Sequence, residues 1–262
     1  MTVYLGAPDP QWIGVSDRPL MVSHSRLRRI KHAFNLPVAD SAPWILDSGA
    51  YDVVTRHGGY PDDPQTYVRA VRTYDIQIRN LRWASSQDYP CEPEALAKTG
   101  LTVLGHQVLS VQSYEDLCLW WQRLAPHRPC PFRLVVQGDT VESYVRCWEM
   151  FGERGVDRAA ADIVGVGSIC RREKADLPEI IDIVAALRER TTARLHGFGV
   201  HAEAIGLFDD VDSMSWSKAA RARRAKHPRC TAFHRVCSSC LVYAEDWHDR
   251  VAARHAAARA IA

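Results

Sequence analysis

The sequence lacks the long apolar segments of a membrane protein. No apolar run reaches the roughly 18 to 20 residues needed to span a bilayer, and residues 1–10 lack the basic start and apolar core of a signal peptide. There is no internal repeat and no low-complexity tract. We therefore predict a soluble, cytoplasmic protein with no membrane partner.

The sequence also has little net charge. A formal charge of +2 does not by itself indicate nucleic-acid binding. The basic residues are clustered, however, and each cluster is either a phosphate-binding surface or a solvated helix face. The first cluster comprises Arg26, Arg28, Arg29 and Lys31, and the second comprises Arg221, Arg223, Arg224, Lys226 and Arg229.

The eight cysteines do not form the pattern of a disulfide framework. Five are scattered singly through apparent core segments, namely Cys91, Cys118, Cys130, Cys147 and Cys170. The other three share one loop with a histidine, as Cys230, His234, Cys237 and Cys240, at spacings suited to tetrahedral zinc. Four protein ligands predict a structural Zn²⁺ site, with His227 or His255 as the alternative histidine.

Short β-prone apolar segments alternate with longer amphipathic ones, which is typical of a parallel sheet with crossover helices. We predict strands at 3–5, 20–22, 44–46, 81–84, 102–104, 133–136, 162–166, 194–196 and around Val211. Helical periodicity covers 64–78, 113–124, 140–151, 177–187 and 241–262, with Ser113 and Asp139 or Thr140 as caps.

About eight βα units, with no GxGxxG motif after the first strand, favour a closed (β/α)8 barrel of the TIM type over a Rossmann sheet. With 262 residues, 47% of them hydrophobic, we expect one α/β domain over residues 1–262. A zinc-binding loop and helix, at about 227–262, would form a C-terminal subdomain.

Polar residues follow several predicted strands, where a barrel carries its active site. Asp47-Ser48-Gly49-Ala50-Tyr51, Gln87-Asp88, Gln137-Gly138 and Gly165-Val166-Gly167-Ser168 are such ends, and Asp212 follows Val211. Each is also compatible with a cap or turn. Two carboxylates across one pocket can serve displacement at a sugar C1′, one as nucleophile and one as acid and base. An Asp and a Gln suit the polar edge of a purine, so a base is the implied ligand.

The order of these motifs resembles the guanine transglycosylases, which exchange guanine for a 7-deazaguanine through a covalent glycosyl-enzyme. Within that superfamily the chain is most similar to the DpdA-like DNA-guanine transglycosylases of deazapurine DNA modification. The segments that carry the resemblance are Tyr4-Leu5-Gly6, Leu46-Asp47-Ser48-Gly49, Gln87-Asp88, Cys91-Glu92-Pro93, Gly105-His106-Gln107, Val166-Gly167-Ser168-Ile169-Cys170, Leu195-His196-Gly197-Phe198-Gly199, Asp212-Ser213-Met214-Ser215-Trp216 and His234-Arg235-Val236-Cys237.

The resemblance implies a role for each matching position. Asp212 would be the nucleophile, with Asp209 and Asp210 as rivals, and Asp47 the general acid/base. Asp88 would accept the N1 and N2 hydrogens of the base. The remaining substrate-binding positions are Gln137 and the Gly167 amide as donors to O6, Tyr51 as a stacking wall, and Ser48 and Gly197.

Other features extend or qualify this interpretation. Ser168-Ile169 stands where bacterial tRNA enzymes carry a Leu-Ala pair that reads the C7 substituent, so we expect a small uncharged substituent such as the nitrile of preQ0. His106, Gln107, Arg171 and Arg172 would contact substrate, or only pack. The substrate would be DNA, and its target base would be flipped out of the duplex into the mouth of the barrel.

Alternatives remain open at this point. One is tRNA as the polymer, and another is a non-catalytic zinc-containing nucleic-acid-binding accessory subunit. A homodimer or a partner protein is compatible with the sequence.

Overall fold

The computed structural model describes residues 1–172 and 174–261. Its parallel strands follow the hydrophobic segments of the sequence. Over the described residues the strands are β1 (Thr2–Gly6), β2 (Leu20–Ser23), β3 (Trp44–Asp47), β4 (Leu81–Ser85), β5 (Phe132–Arg133), β6 (Val135–Val136), β7 (Ile163–Val166), β8 (Arg194–Gly197) and β9 (Asp210–Ser213). They form one continuous sheet in the order β5-β4-β3-β2-β1-β9-β8-β7-β6.

The sheet closes through the segment 132–136. β5 pairs with β4, and β6, which begins after the single intervening residue Leu134, pairs with β7. The first and last strands are also neighbours, with Tyr4 opposite Asp212. The two short strands therefore act as halves of one strand, and the barrel has the eight positions of the predicted TIM-type fold.

One predicted strand is wrong. Thr102–Leu104 is the start of a long helix, with Thr102 as its N-cap through a side chain that accepts the Gly105 N–H. Ser113 consequently lies inside that helix and does not cap it. Removing this segment from the predicted strands leaves eight.

The helices cover the outside of the barrel. They are α1 (His24–Leu27), α2 (Ala50–His57), α3 (Pro64–Gln77), α4 (Pro93–Thr99), α5 (Val103–Leu124), α6 (Val141–Glu153), α7 (Leu177–Arg188), α8 (Ser215–Ala222) and α9 (Leu241–Ile261). Short 3-10 turns lie at Pro10–Gly14, Ala33–Asn35, Arg158–Ala160, Lys174–Asp176 and Ile205–Leu207. Thr140 caps α6 in a capping box with Ser143, as one of the two predicted alternatives. No helix in the described ranges is long and apolar enough to cross a membrane.

Apolar side chains fill two layers. The larger layer packs the outer face of the strands against the helices. A smaller cluster of Tyr4, Ile45 and Trp83, joined by the partly buried Phe198, fills the barrel interior. Alternation along each strand assigns side chains to these layers, so Ile45 and Asp47 share the inner face of β3. The interior is thus apolar except where the strands end, and polar side chains collect there.

Candidate active site and metal centre

A cavity of about 570 Å³ opens at the carboxyl ends of the strands. Asp47 closes β3, Gln137 follows β6, and Asp212 is the penultimate residue of β9. Asp88 lies three residues beyond β4, and all four side chains line this cavity. Residues 165 positions apart in sequence therefore face one ligand-sized space.

Asp212 is almost completely buried and held through one oxygen. Its Oδ1 accepts the Gly199 N–H at 2.9 Å and lies 3.4 Å from Nε2 of His196. Gly199 has φ +62, and a Cβ there would lie 2.7 Å from Cys170 Cβ, so the turn requires glycine. Because both contacts engage Oδ1, Oδ2 is left to react.

The two rival aspartates have structural partners. Asp209 pairs with Arg188 and accepts the Leu195 N–H. Asp210 pairs with Arg194 and accepts the Thr2 N–H at the start of β1, the end of the barrel away from the cavity. Neither lines the cavity, which leaves Asp212 as the carboxylate of β9 that faces it.

Asp47 has a protonation equilibrium shifted toward neutrality. Burial is the main cause that raises its pKa to about 6, and the nearby charge of Asp212 adds to it, while hydrogen bonds with Gly49 and Ser23 act in the opposite direction. A carboxyl with such a pKa can give and take a proton near neutral pH.

Asp88 and Gln137 form a polar pair across the cavity wall. Gln137 Nε2 donates to Asp88 Oδ2, and Ser48 Oγ donates to Asp88 Oδ1 at 3.3 Å. Burial, followed by the charge of Asp47, raises the pKa of Asp88 to about 7. Ser48 also contacts Tyr60 Oη at 3.1 Å and does not line the cavity, so it orients Asp88 from behind.

Of the two predicted glycine positions, Gly167 lines the cavity and Gly197 does not. The Gly167 N–H donates to Val136 O at 3.0 Å, so this sheet bond uses the proton assigned to base O6. A Cβ at Gly167 would lie 2.2 Å from Gln137 Nε2, so Gly167 provides room for that amide. Gly197 is buried outside the cavity lining, where a Cβ would meet Val200, and Gly199 and Phe198 line the cavity instead.

Tyr51 lies in the first turn of α2 and lines the cavity, in the place expected for a stacking wall. Its ring is covered by Arg171, whose guanidinium carbon is 4.7 Å from the ring centroid. Arg171 Nη2 also donates to Tyr51 Oη at 2.7 Å. The contact joins the ends of β3 and β7 across the cavity.

Two further sequence candidates, His106 and Gln107, have packing roles. His106 is buried between Pro90 O and Thr99 Oγ1, at 2.6 and 2.7 Å. Gln107 donates to the backbone carbonyl of Gln137 at 2.7 Å and thereby fixes the end of β6.

Arg172 pairs with Glu179 and donates to Asp139 O. The cavity lining includes none of these three candidates, His106, Gln107 and Arg172.

The two basic clusters occupy different places. Arg26 and Arg29 line the cavity, together with Arg56, which the sequence analysis had not selected. Lys226 of the second cluster instead donates to Ala232 O and His234 O, at 2.6 and 2.9 Å, inside the cysteine loop. The first cluster is therefore the one at the cavity.

The sequence analysis assigned no role to Glu92 or His196, and noted Ser168 at a strand end and as a departure from the tRNA enzymes. Glu92 and Ser168 line the cavity and are buried. His196 is fully buried against Trp83 and Phe198, and neither ring nitrogen makes a hydrogen bond within the described residues. Buried polar side chains of this kind at strand ends are the signal that could have identified them.

The cysteine loop between α8 and α9 brings together the four predicted metal ligands. The ligand atoms of Cys230, His234, Cys237 and Cys240 all lie within 4.8 Å of one another. His234 Nε2 is 3.1 Å from Cys230 Sγ and 3.3 Å from Cys237 Sγ. Three thiolates and an imidazole at these separations fit a tetrahedral zinc ion, which would fill its coordination with protein ligands.

The neighbouring groups support the same ligand set. The His227 N–H donates to Cys237 Sγ at 3.2 Å, as expected beside a thiolate, whereas the His227 ring Nδ1 accepts the Arg229 N–H. His255 lies against Gly206. His234 is therefore the histidine of the cluster. Ser217 Oγ donates to Ser238 O at 2.6 Å and joins the loop to α8.

The comparisons with known proteins identify a family. A family model described as DpdA, DeoxyPurine in DNA protein A, matches residues 1–261. A search of curated proteins found no match. The chain belongs to the DpdA family, which is the DNA-guanine transglycosylase branch indicated by the sequence motifs.

Proposed function

We propose, from its membership of the DpdA family, that the protein exchanges guanine in DNA for a 7-deazaguanine base, through a covalent intermediate on Asp212. The observation that carries the proposal is the convergence of Asp47, Asp88, Gln137 and Asp212 on one cavity. This set supplies a nucleophile, an acid and base, and a surface for the edge of a purine.

In this mechanism Asp212 Oδ2 attacks C1′ of the target nucleotide while Oδ1 stays bound to the Gly199 N–H. The C1′–N9 bond breaks, and Asp47 in its neutral form donates a proton to the departing guanine. The incoming base then attacks C1′, its proton passes to Asp47, and Asp212 is released. A pKa of about 6 for Asp47 suits both steps.

Recognition of the base falls to Asp88 and Gln137. The Gln137 N–H that donates to Asp88 in the free protein would turn to base O6, and Asp88 would accept from N1 and N2. Tyr51 would stack on the base after Arg171 moves from its ring. We further propose that the incoming base carries a small uncharged C7 substituent, as the nitrile of preQ0 does.

Duplex DNA must expose the nucleotide for this chemistry, so the target base would be flipped into the cavity. Arg26, Arg29 and Arg56 at the cavity would contact the flanking phosphates, and binding should weaken steeply with salt. The zinc ion would hold the α8–α9 loop in shape and take no part in the exchange, because its four protein ligands complete a tetrahedron.

The proposal is tested with radiolabelled preQ0, plasmid DNA and bulk tRNA, and with duplex DNA in the absence of an incoming base to trap the adduct. We expect label in DNA, and a loss of at least about a thousandfold in Asp212→Asn. The matched control Asp209→Asn, whose carboxylate pairs with Arg188, should retain exchange. Label in tRNA alone would refute the DNA assignment, and an unchanged Asp212→Asn would refute the nucleophile.

A further inference from the structure

The cavity wall beyond Gln137 carries a second polar group that the proposed exchange does not use. It consists of Glu92, Ser168 and Cys170, all of which line the cavity. Only 6% of Glu92 and 9% of Ser168 is exposed. A carboxyl group buried to this extent beside a ligand cavity is costly unless it has partners or a function.

Glu92 is placed as a helix cap but does not act as one. It occupies the N-cap position of α4, yet its side chain makes no capping hydrogen bond. The carboxyl instead contacts Ser168 Oγ at 2.9 Å through Oε2 and accepts from Cys170 Sγ at 3.4 Å through Oε1. Ser168 itself has φ +52, a left-handed conformation that costs a non-glycine residue free energy and recurs at ligand sites.

The Ser168 hydroxyl connects this group to Gln137. Ser168 Oγ accepts the Cys91 N–H at 2.7 Å and lies 2.5 Å from Gln137 Oε1 as well as 2.9 Å from Glu92 Oε2. A hydroxyl has one proton and can donate to only one of these acceptors at a time. When Ser168 donates to Gln137, a neutral Glu92 is needed to supply the proton of the other contact.

Burial shifts the protonation equilibrium of Glu92 toward that neutral form. Burial is the main cause that raises the pKa of its carboxyl, and the charge of Glu94 acts in the same direction, while hydrogen bonds with the backbone, Ser168 and Cys170 act in the opposite direction. A neutral carboxyl presents an O–H donor to the cavity, whereas a carboxylate presents acceptors alone.

The order of side chains along the wall matches the order of atoms along the base. Contacts run from Asp88 to Gln137, then to Ser168 and then to Glu92. On a 7-deazaguanine the corresponding sequence is N2 and N1, then O6, then the substituent on C7. We propose that Glu92, with Ser168, forms the subsite for the C7 substituent and selects one that accepts a hydrogen bond, such as a nitrile.

This inference rests on the proposed exchange and on the base orientation set by Asp88 and Gln137. When preQ0 binds, the O–H of neutral Glu92 turns from Ser168 Oγ to the nitrile nitrogen, while a cationic aminomethyl substituent finds no negative charge to pair with there. Unsubstituted 7-deazaguanine makes no contact with the subsite. The two bases therefore differ only in the interaction that Glu92 supplies.

The test measures incorporation of radiolabelled preQ0 and of 7-deazaguanine into duplex DNA by the full-length protein. Glu92→Leu is expected to lower the preQ0 to 7-deazaguanine ratio about tenfold, the effect of one buried hydrogen bond. Glu92→Gln, which keeps an N–H donor, should retain most of the ratio. The ratio cancels any loss of activity that is common to both bases.

Two further variants guard against misfolding and surface effects. Ser168→Gly permits the left-handed backbone and removes the hydroxyl, and it should lower the same ratio. Glu153→Leu replaces an exposed carboxylate at the end of α6 and should leave the ratio unchanged.

An unaltered ratio in both Glu92→Leu and Ser168→Gly would overturn the subsite while leaving the exchange reaction intact. If the wild-type protein preferred the aminomethyl base to preQ0, and Glu92→Gln lost that preference, the assignment of a neutral Glu92 would be overturned. Incorporation of neither base by the wild-type protein would overturn the proposed function and the subsite with it.

Discussion

Asp88→Asn should stabilise the protein at pH 8 although it removes a group that we assign to base recognition. Burial and the charge of Asp47 raise the pKa of Asp88 to about 7 in the folded protein, from an ordinary value of 3.8. A carboxyl whose pKa is raised by folding favours the folded state below its unfolded pKa. That contribution is lost as the pH rises through the folded pKa.

The magnitude follows from the difference of about three between the two pKa values, which corresponds to about 4 kcal/mol. Part of this difference is shared with Asp47, so we expect Asp88→Asn to gain about 2–4 kcal/mol at pH 8. The thermal midpoint should rise by about 5–15 °C. At pH 4 the gain should nearly vanish, because the wild-type carboxyl is then protonated in the folded state.

Thermal and urea unfolding of both proteins from pH 4 to pH 8 measures this effect. Asp139→Asn is the matched control, since Asp139 is exposed beyond the neighbouring strand end and should show little change at either pH. A stability gain for Asp88→Asn that is equal at pH 4 and pH 8, or absent at both, would refute the reasoning. Exchange activity should fall, as in other proteins where a functional site costs stability.

Two other predictions concern the metal loop and the nucleophile. Cys237→Ser should abolish stoichiometric zinc, measured by elemental analysis, and lower the thermal midpoint by about 10 °C or more, whereas Cys118→Ser should keep the metal. His196→Leu should slow formation of the covalent DNA adduct about tenfold to a hundredfold in single-turnover assays, because Asp212 Oδ1 loses the imidazole whose Nε2 lies 3.4 Å away. His196→Gln, which keeps an N–H, should recover much of the rate, and equal rates for Leu and wild type would show that His196 only packs.

The metal site shows what a local sequence pattern can predict. All four ligands lie within eleven residues, so the loop needs only to turn on itself to bring them together. The choice of His234 over His227 and His255 needed the structure. It depends on which ring turns toward the thiols and which is held elsewhere.

The mistaken strand at 102–104 has a similarly physical cause. Three residues of β-prone, apolar character do not distinguish a strand from the first turn of a helix. Thr102 caps α5 in the structure, and its hydrogen bond to the Gly105 N–H decides the local conformation.

The sequence alone determined the alternating strands and helices, the carboxylates at the strand ends, and the family to which the chain belongs. It could do so because hydrophobic period and ligand spacing are local properties. Only the closed barrel decided that the Gly167 N–H is used in the sheet and that Glu92 meets Ser168. Such contacts join residues far apart in sequence, and strand register and barrel closure determine which side chains meet.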